Sequence, residues 1–265
     1  MNFVYKNGLK YLKFDIFPSE VIHGIFTRNG GLSVDPWNSL NVGGTVGDDN
    51  TVVKKNRMKS FDAAGRETNS MFDVWQVHSA DIVIANAPHS SKKDKELRAD
   101  GILTDNPEIS LFMRFADCTP IMLYDTQLKI VGIVHAGWQG TIKKVVSQAV
   151  KAMKANFDSN PENILAGIGP SIGPDHYEIG QDVIEHVKHA FGSRSEELLI
   201  KNGEKYHFDL WNANKINLEE AGVTKIEIAR ICTACNLDDW FSHRAEKGKT
   251  GRFGAIIALN QAASF

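Results

Sequence analysis

Residues 121–124 (Ile-Met-Leu-Tyr) and 130–134 (Ile-Val-Gly-Ile-Val) are two short apolar or β-branched runs with the turn-forming Asp125-Thr126-Gln127 between them. Such runs read as the two strands of a hairpin. A hairpin sets the residues that flank it side by side. Cys118 precedes the first strand and His135 ends the second, so both fall at the end away from the turn. A soft thiolate and an imidazole at one sheet end cost burial and polar satisfaction. That cost points to a metal or nucleophile site, with His78 as its third member.

The rest of the chain supplies strands and helices in mixed order. Residues 3–26 alternate as strands, with Leu12, Phe14 and Ile16 on one face. A Gly/Asn/Asp segment from Thr27 to Asp48 follows; its interleaved Leu32, Trp37, Leu40 and Val42 argue for an ordered, functional loop. Asp48, Asp49 or Asn50 is expected to cap a helix carrying Val52, Val53, Arg57 and Phe61 that ends near Gly65. Residues 72–78 and 82–85 read as strands, 86–98 as a polar, lysine-rich surface excursion, and 100–104 and 109–115 as strands. Thr141 is expected to cap a helix running to about Phe157. A strand at 164–168, helices at 181–191 and 212–221, and strands at 225–230 and 253–259 complete the chain. With no repeat and no linker, residues 1–265 read as one α+β domain.

His78 closes Trp75-Gln76-Val77-His78 as His135 closes its strand. Two His and one Cys at strand ends match a three-ligand catalytic zinc site whose fourth position stays open. Zinc selects this mixed nitrogen and sulfur set, and copper tolerates it. Asp117 and Asp81 lie near enough in sequence to orient the imidazoles. The same residues also admit a cysteine hydrolase, with Cys118 as nucleophile, His135 as base and Asp117 as orienter. The plainest alternative is two hydrogen-bonded interior histidines and a small buried thiol.

Arg28 beside Asn29-Gly30-Gly31, Arg57 on the first helix, and Arg244 and Arg252 near Gly248 and Gly251 are candidate anion contacts. Guanidinium forks and glycine-permitted N–H groups hold phosphate, and a helix start after Gly137 adds positive dipole. Cys232-Thr233-Ala234-Cys235 has zinc-ribbon or redox spacing, but only His243 is near enough in sequence to join it. It reads as two partly buried thiols after a strand. Trp37, Trp75, Trp138 and Phe241 lie close to these motifs and are candidate walls for a planar ligand.

Composition removes several classes. The formal charge is −2 with Lys and Arg scattered, so no nucleic-acid partner is expected. No apolar run approaches the roughly 18–20 residues of a membrane span, and the N-terminus lacks a signal-peptide pattern. Three cysteines, an odd number, point to a reducing compartment, hence the cytoplasm. A small-molecule substrate is the expected partner.

Motifs spread over nearly the whole chain resemble the laccase-domain family, also called multicopper polyphenol oxidoreductases and peptidoglycan editing factors. They are Thr27-Arg28-Asn29-Gly30-Gly31-Leu32-Ser33, Ser39-Leu40-Asn41 with Val46-Gly47-Asp48-Asp49, Asn56-Arg57, Gln76-Val77-His78 and Ala99-Asp100-Gly101. Ala116-Asp117-Cys118-Thr119-Pro120, Val134-His135-Ala136-Gly137-Trp138, Gly167 to Ile172, Ser242-His243-Arg244 and Thr250-Gly251-Arg252 follow in order. The resemblance implies a four-layer αββα sandwich with mixed sheets and zinc held by His78, Cys118 and His135. It implies a purine nucleoside enzyme that phosphorolyses adenosine, inosine and methylthioadenosine and deaminates adenosine, with Arg57 at the substrate and phosphate site. Asn41, Arg28 and Arg244 are further expected substrate contacts, and Asp117 an expected proton carrier. His243 departs from the family pattern. A cysteine hydrolase acting on cell-wall precursors and a copper polyphenol oxidase are the competing activities. The latter holds its cluster with many His-x-His pairs, whereas this chain has nine histidines and no such pair.

Overall fold

The structure, a computed structural model, describes residues 1–88 and 97–260. One sheet runs, in spatial order, β1 (Asn2–Lys6), β2 (Leu9–Lys13), β3 (Val21–Phe26), β15 (Phe253–Leu259), β7 (Ser110–Phe115) and β4 (Met71–Phe72). A second runs β14 (Lys225–Ile228), β10 (Ile164–Ile168), β8 (Thr119–Asp125), β9 (Ile130–Ala136), β6 (Gly101–Thr104) and β5 (Ile82–Ile84). Both are mixed: β4 with β7, β10 with β14 and β5 with β6 pair in parallel, the remaining neighbours antiparallel. β11 (Glu178–Ile179), β12 (Leu199–Asn202) and β13 (Lys205–Phe208) form a small third sheet.

Strand alternation dictates the layering. The predicted hairpin is β8 and β9, buried along its whole length, so both of its faces need cover. Met122, Tyr124, Val131 and Ile133 face the first sheet and pack with Leu111, Met113 and Ile257. Ile121, Leu123 and Val134, one residue out of phase, face helices α3 (Val145–Phe157) and α5 (Leu210–Glu220) and α4 (Gln181–Phe191) beyond them. Across the molecule, α1 (Asn50–Ala64) lays Phe61 and Ala63 on Phe112, Phe26 and Ile256. Each fully buried Ile, Leu or Phe contributes about 1.5–3 kcal/mol, and the double-sided burial concentrates that gain in β8 and β9. The result is the expected four-layer αββα sandwich.

Helix ends follow the local chemistry, with one exception. Asp49 caps α1 by accepting from Thr51 N at 2.6 Å, and Asp209 caps α5 by accepting from Asn212 N at 3.0 Å. Thr141 caps nothing. A five-residue helix α2 (Trp138–Ile142) starts after Gly137, Lys144 breaks it at φ 58°, and α3 begins at Val145. The Thr141 hydroxyl instead accepts from Asn214 Nδ2 at 3.0 Å and its carbonyl from Asn217 Nδ2 at 2.9 Å, tying α2 to α5. The strand expected over 72–78 also stops early, at Phe72. His78 lies at φ 58°, a left-handed conformation no strand accommodates.

The loop from Thr27 to Asp48 is ordered by hydrogen bonds rather than by a ladder, as buried backbone groups require. Asn56 of α1, fully buried, donates to Ser33 Oγ at 2.9 Å and Asn41 O at 2.8 Å and accepts from Leu32 N at 2.9 Å. Asp48 gathers Ser33 Oγ at 2.6 Å and Asn41 Nδ2 at 2.8 Å. Of the lysine-rich excursion, residues 89–96 lie outside the described residues. No helix among the described residues is long and apolar enough to cross a membrane. Asn56→Ala strands several of these buried groups, each worth about 1–3 kcal/mol when unsatisfied. Denaturant unfolding is expected to show a loss of about 2–4 kcal/mol; an unchanged midpoint would contradict the network's role.

Candidate active site

His135 lies on the same face of β9 as Val131 and Ile133, at the open end of the inter-sheet layer, against Phe115 (ring centroids 5.5 Å apart). Pro120 pairs with His135 and Thr119 with Ala136, so Cys118, one step further, stands beside Gly137. His78 arrives from the irregular segment after β4, its ring 4.9 Å from that of His135. The three sequence candidates converge: one ligand atom from each lies within 4.8 Å of the others. His135 is buried, Cys118 half-buried and His78 exposed, leaving the cluster open on one side. A Cβ on Gly137 would stand 2.7 Å from His78 Nδ1 and 2.9 Å from Cys118 Sγ. Only glycine leaves that cradle free. Two nitrogens and one sulfur around a vacant, accessible face fit a three-ligand zinc centre.

Asp100 sets the two imidazoles. Its side chain is fully buried; Oδ1 pairs with His135 Nδ1 at 2.8 Å, which leaves Nε2 as the nitrogen available to a metal. Oδ2 accepts from Ser79 N at 2.6 Å and Val77 N at 3.2 Å, bracketing His78 from both sides. The main chain joins in, with His135 N donating to Asp100 O at 2.8 Å. Burial pushes the Asp100 carboxyl up, but its bonds from His135 and Ser79 outweigh that and hold it below the ordinary range. Burial likewise disfavours charge on His135. The neighbouring Cys118 thiolate and Asp100 outweigh burial and raise His135 to about 9. His78 is lowered by burial and by the His135 charge.

A cavity of about 300 Å³ opens beside these histidines. Gly43, Gly44 and Thr45 form one wall; Arg57, Arg114 and Arg252 line it, with Trp75 and Gln76 near His78. Arg57 donates Nε to Val42 O at 2.9 Å, and its terminal nitrogens have no hydrogen-bond partner among the described residues. Burial first, then repulsion from Arg114, lowers it to about 10, so it stays charged at neutral pH. Arg114 is neutralised by Asp73 at 2.6 Å and braced by Gln76. Arg252 is turned onto the carbonyls of Thr250 and Gly251. No carboxylate lines the cavity. Low-dielectric walls and uncompensated guanidinium charge make it attractive to a small anion.

The other sequence candidates sit elsewhere. Arg28 stacks on Phe241 at 4.4 Å and bonds Glu246, Asn38 O and Leu237 O, so it braces the scaffold outside the cavity. Asn41 is buried behind the wall, donating to Gly43 O and Asp48 and accepting from Gly43 N and Arg252 N. It shapes the glycine wall. Arg244 is exposed over Tyr177 and donates to Glu178 O. Asp117 is not the imidazole partner that sequence proximity suggested: Oδ1 accepts from Thr233 Oγ1 and Oδ2 from Arg244 N, each at 2.6 Å. Asp81 offers its carbonyl to Asp100 N and Gly101 N. Of the four aromatics only Trp75 lines the cavity; Phe241 is buried and Trp37 bonds Val46 O.

Asp100 and Arg114 were not singled out by sequence reasoning. Asp100 lies inside a strand-like run, and its signal was chemical: a ligating histidine needs a carboxylate or carbonyl on its other nitrogen. Arg114 lay unmarked within a predicted strand.

Comparison with known proteins agrees with this geometry. Residues 22–260 match the family described as multi-copper polyphenol oxidoreductase laccase. The Bacillus subtilis (strain 168) protein named purine nucleoside phosphorylase YlmD is 34% identical over 250 residues, 92% of this chain and 90% of that one. Purine nucleoside phosphorylase YfiH of Escherichia coli (strain K12) is 34% identical over 88% of this chain and 91% of its own. The solved structure of YlmD from Geobacillus stearothermophilus superposes with a TM-score of 0.91 at 30% identity, covering 98% of this chain and 99% of that chain. The His78–Cys118–His135 cluster, its glycine cradle and the sandwich that frames them thus occur in a chain that belongs to the multi-copper polyphenol oxidoreductase laccase family.

Proposed function

We propose that the chain is a zinc-dependent purine nucleoside phosphorylase, converting adenosine, inosine or S-methyl-5′-thioadenosine and phosphate to the free base and the ribose 1-phosphate. One observation carries the reading: a three-ligand His–Cys–His cluster opens onto an arginine-lined cavity that contains no carboxylate. The relatives' names supply the substrate class. Copper is tolerated by the same donors, but a cluster of several coppers lacks the histidines to hold it.

Phosphorolysis passes through an oxocarbenium-like transition state, so the protein's task is positioning and electrostatic support. Arg57 is the phosphate contact, its terminal nitrogens facing the cavity while Nε is fixed on Val42 O. The Gly43–Gly44 wall lets the anion approach the backbone closely. Trp75, half-exposed at the cavity, offers a face for the purine. Asp100 holds His135 in the tautomer that presents Nε2. A bound zinc ion supplies a Lewis acid with one open position, which polarises a substrate atom or activates water. Adenosine deamination needs a further group to move protons, the part a glutamate plays in nucleobase deaminases. The cavity lining has no carboxylate, and both Asp117 oxygens are engaged in fixing loops. We therefore assign phosphorolysis as the principal reaction and deamination as secondary.

A metal-free reading draws on the Cys118–His135–Asp100 chain, which has the order of a cysteine-hydrolase triad, with Asp100 rather than Asp117 as orienter. Chelation separates the two. Phosphorolysis is expected to vanish when metal is stripped and return with zinc; hydrolysis that survives complete stripping would favour the triad. Metal must displace the His135 proton, so apparent affinity is expected to fall about tenfold per pH unit below 9. A pH-independent affinity would contradict ligation by His135. Arg57→Gln removes one charge-assisted contact, worth about 1.5–3 kcal/mol. The KM for phosphate is expected to rise about 10- to 100-fold with metal content unchanged; an unaltered KM would remove Arg57 from the phosphate site.

A further inference from the structure

Four side chains outside the active site meet where two turns leave the second sheet. β10 and β14 are parallel neighbours, and a bridge between Ser171 and Cys232 continues their pairing beyond the strands. The turn after β10 carries Asp175 and His176; the turn after β14 carries Cys232 and Cys235. His243, the companion that sequence proximity offered to this cysteine pair, is not among them. One ligand atom from each of the four lies within 4.8 Å of the others. Cys235 Sγ is 2.9 Å from Asp175 Oδ2 and 3.3 Å from His176 Nδ1. Cys232 Sγ is 3.9 Å from His176 Nδ1, which is 3.1 Å from Asp175 Oδ2. Around a tetrahedral zinc ion, sulfur, nitrogen and oxygen ligands stand about 3.4–3.8 Å apart, so adjustments of a few tenths of an ångström bring the set to that spacing.

We infer that Asp175, His176, Cys232 and Cys235 form a second, structural site for a zinc-class divalent cation. Cys-x-x-Cys is a zinc-ligand spacing, and the neighbouring Asp-His pair completes four soft and borderline donors. The protein fills all four positions, which distinguishes this centre from the open one at His78, Cys118 and His135. Gly173 N donates to Cys232 Sγ at 3.2 Å, a bond that favours the thiolate form a metal requires. The turn lies so close to Cys232 that a Cβ on Gly173 would be 2.5 Å from Asp175 Oδ1 and 3.0 Å from Cys232 Cβ. Cys232 is buried and the other three are exposed, so an ion can enter from solvent. On binding, each thiol still protonated loses its proton to solvent.

The site fastens the frame of the first one. Thr233, inside the Cys-x-x-Cys turn, donates to Asp117 Oδ1 at 2.6 Å, and Ile172 N donates to Asp117 O at 3.0 Å. Asp117 lies at φ 77° immediately before Cys118, a conformation that persists only where surroundings enforce it. Locking the two turns together supplies that enforcement.

Cobalt titration of the full-length Cys118→Ala chain, purified under reducing conditions and stripped of metal, tests the inference. Removing the first site's only thiolate leaves Cys232 and Cys235 as the cysteines able to give a thiolate-to-cobalt charge-transfer band. That band is expected to appear, to saturate at about one equivalent, and to vanish in Cys118→Ala/Cys235→Ala. His176→Ala, an exposed change, is expected to weaken cobalt retention against a chelator by more than about tenfold with the circular-dichroism spectrum unchanged. Absence of the band in a folded Cys118→Ala chain overturns the site, as does its persistence without Cys235. A Cys232–Cys235 disulfide in the reduced preparation, seen as the loss of two hydrogens by mass spectrometry, overturns it in favour of a redox pair.

Discussion

A single buried carboxylate carries the arrangement of the active site. Asp100 reaches His135 through one oxygen and the amides on either side of His78 through the other. Its burial would be costly if any of these partners were missing, since an unpaired charge in the interior is strongly unfavourable. The cost is offset only when β9 and the segment after β4 are both in place. The carboxylate therefore couples two pieces of chain that share no strand ladder. It orients one imidazole directly and holds the other's backbone at φ 58°, and this is how residues 57 positions apart come to face one ion-sized gap.

Around that carboxylate the fold divides labour between apolar and polar order. The β8–β9 hairpin, buried on both faces, fixes His135 and the approach of Cys118 by register. Everything else at the site comes from loops, and loops in the interior need explicit hydrogen-bond partners. Asn56 and Asp48 organise the wall that carries Gly43 and Gly44; Asp117 joins the turns at Thr233 and Arg244. Glycine at 137, where a close approach to two ligand atoms forbids a side chain, keeps the centre open. The cavity beside it is cationic because Arg57 and Arg252 have no carboxylate partner among the described residues, whereas Arg114 is paired with Asp73.

Sequence reasoning reached these features unequally, for physical reasons. The hairpin, α1, α4 and β15 were readable because periodicity and caps act locally. The convergence of His78 with Cys118 and His135 was legible as chemistry, from residue types at strand ends, although their spacing could not bring them together. Orientation was harder. Asp117 and Asp81 were the nearest carboxylates along the chain, yet a side chain's partner is set by register: Gly101 pairs with Val134, which carries Asp100 to His135. Thr141 was misread as a cap because a hydroxyl at a helix start and a hydroxyl accepting from a neighbouring helix look alike in one dimension. Asp175 and His176 lie 56 or more residues before Cys232, and only the parallel pairing of β10 and β14 makes them neighbours.

The claim on which these interpretations rest is that the space beside Gly137 is kept for a metal ion held by His78, Cys118 and His135. Gly137 has φ −72° and ψ 174°, open to any residue, so alanine there adds bulk without backbone strain. Elemental analysis of purified Gly137→Ala, alongside its thermal unfolding, is the most direct measurement. A variant that unfolds close to the parent temperature but has lost the metal of this centre is the predicted result. A folded variant that retains its full metal complement would contradict it.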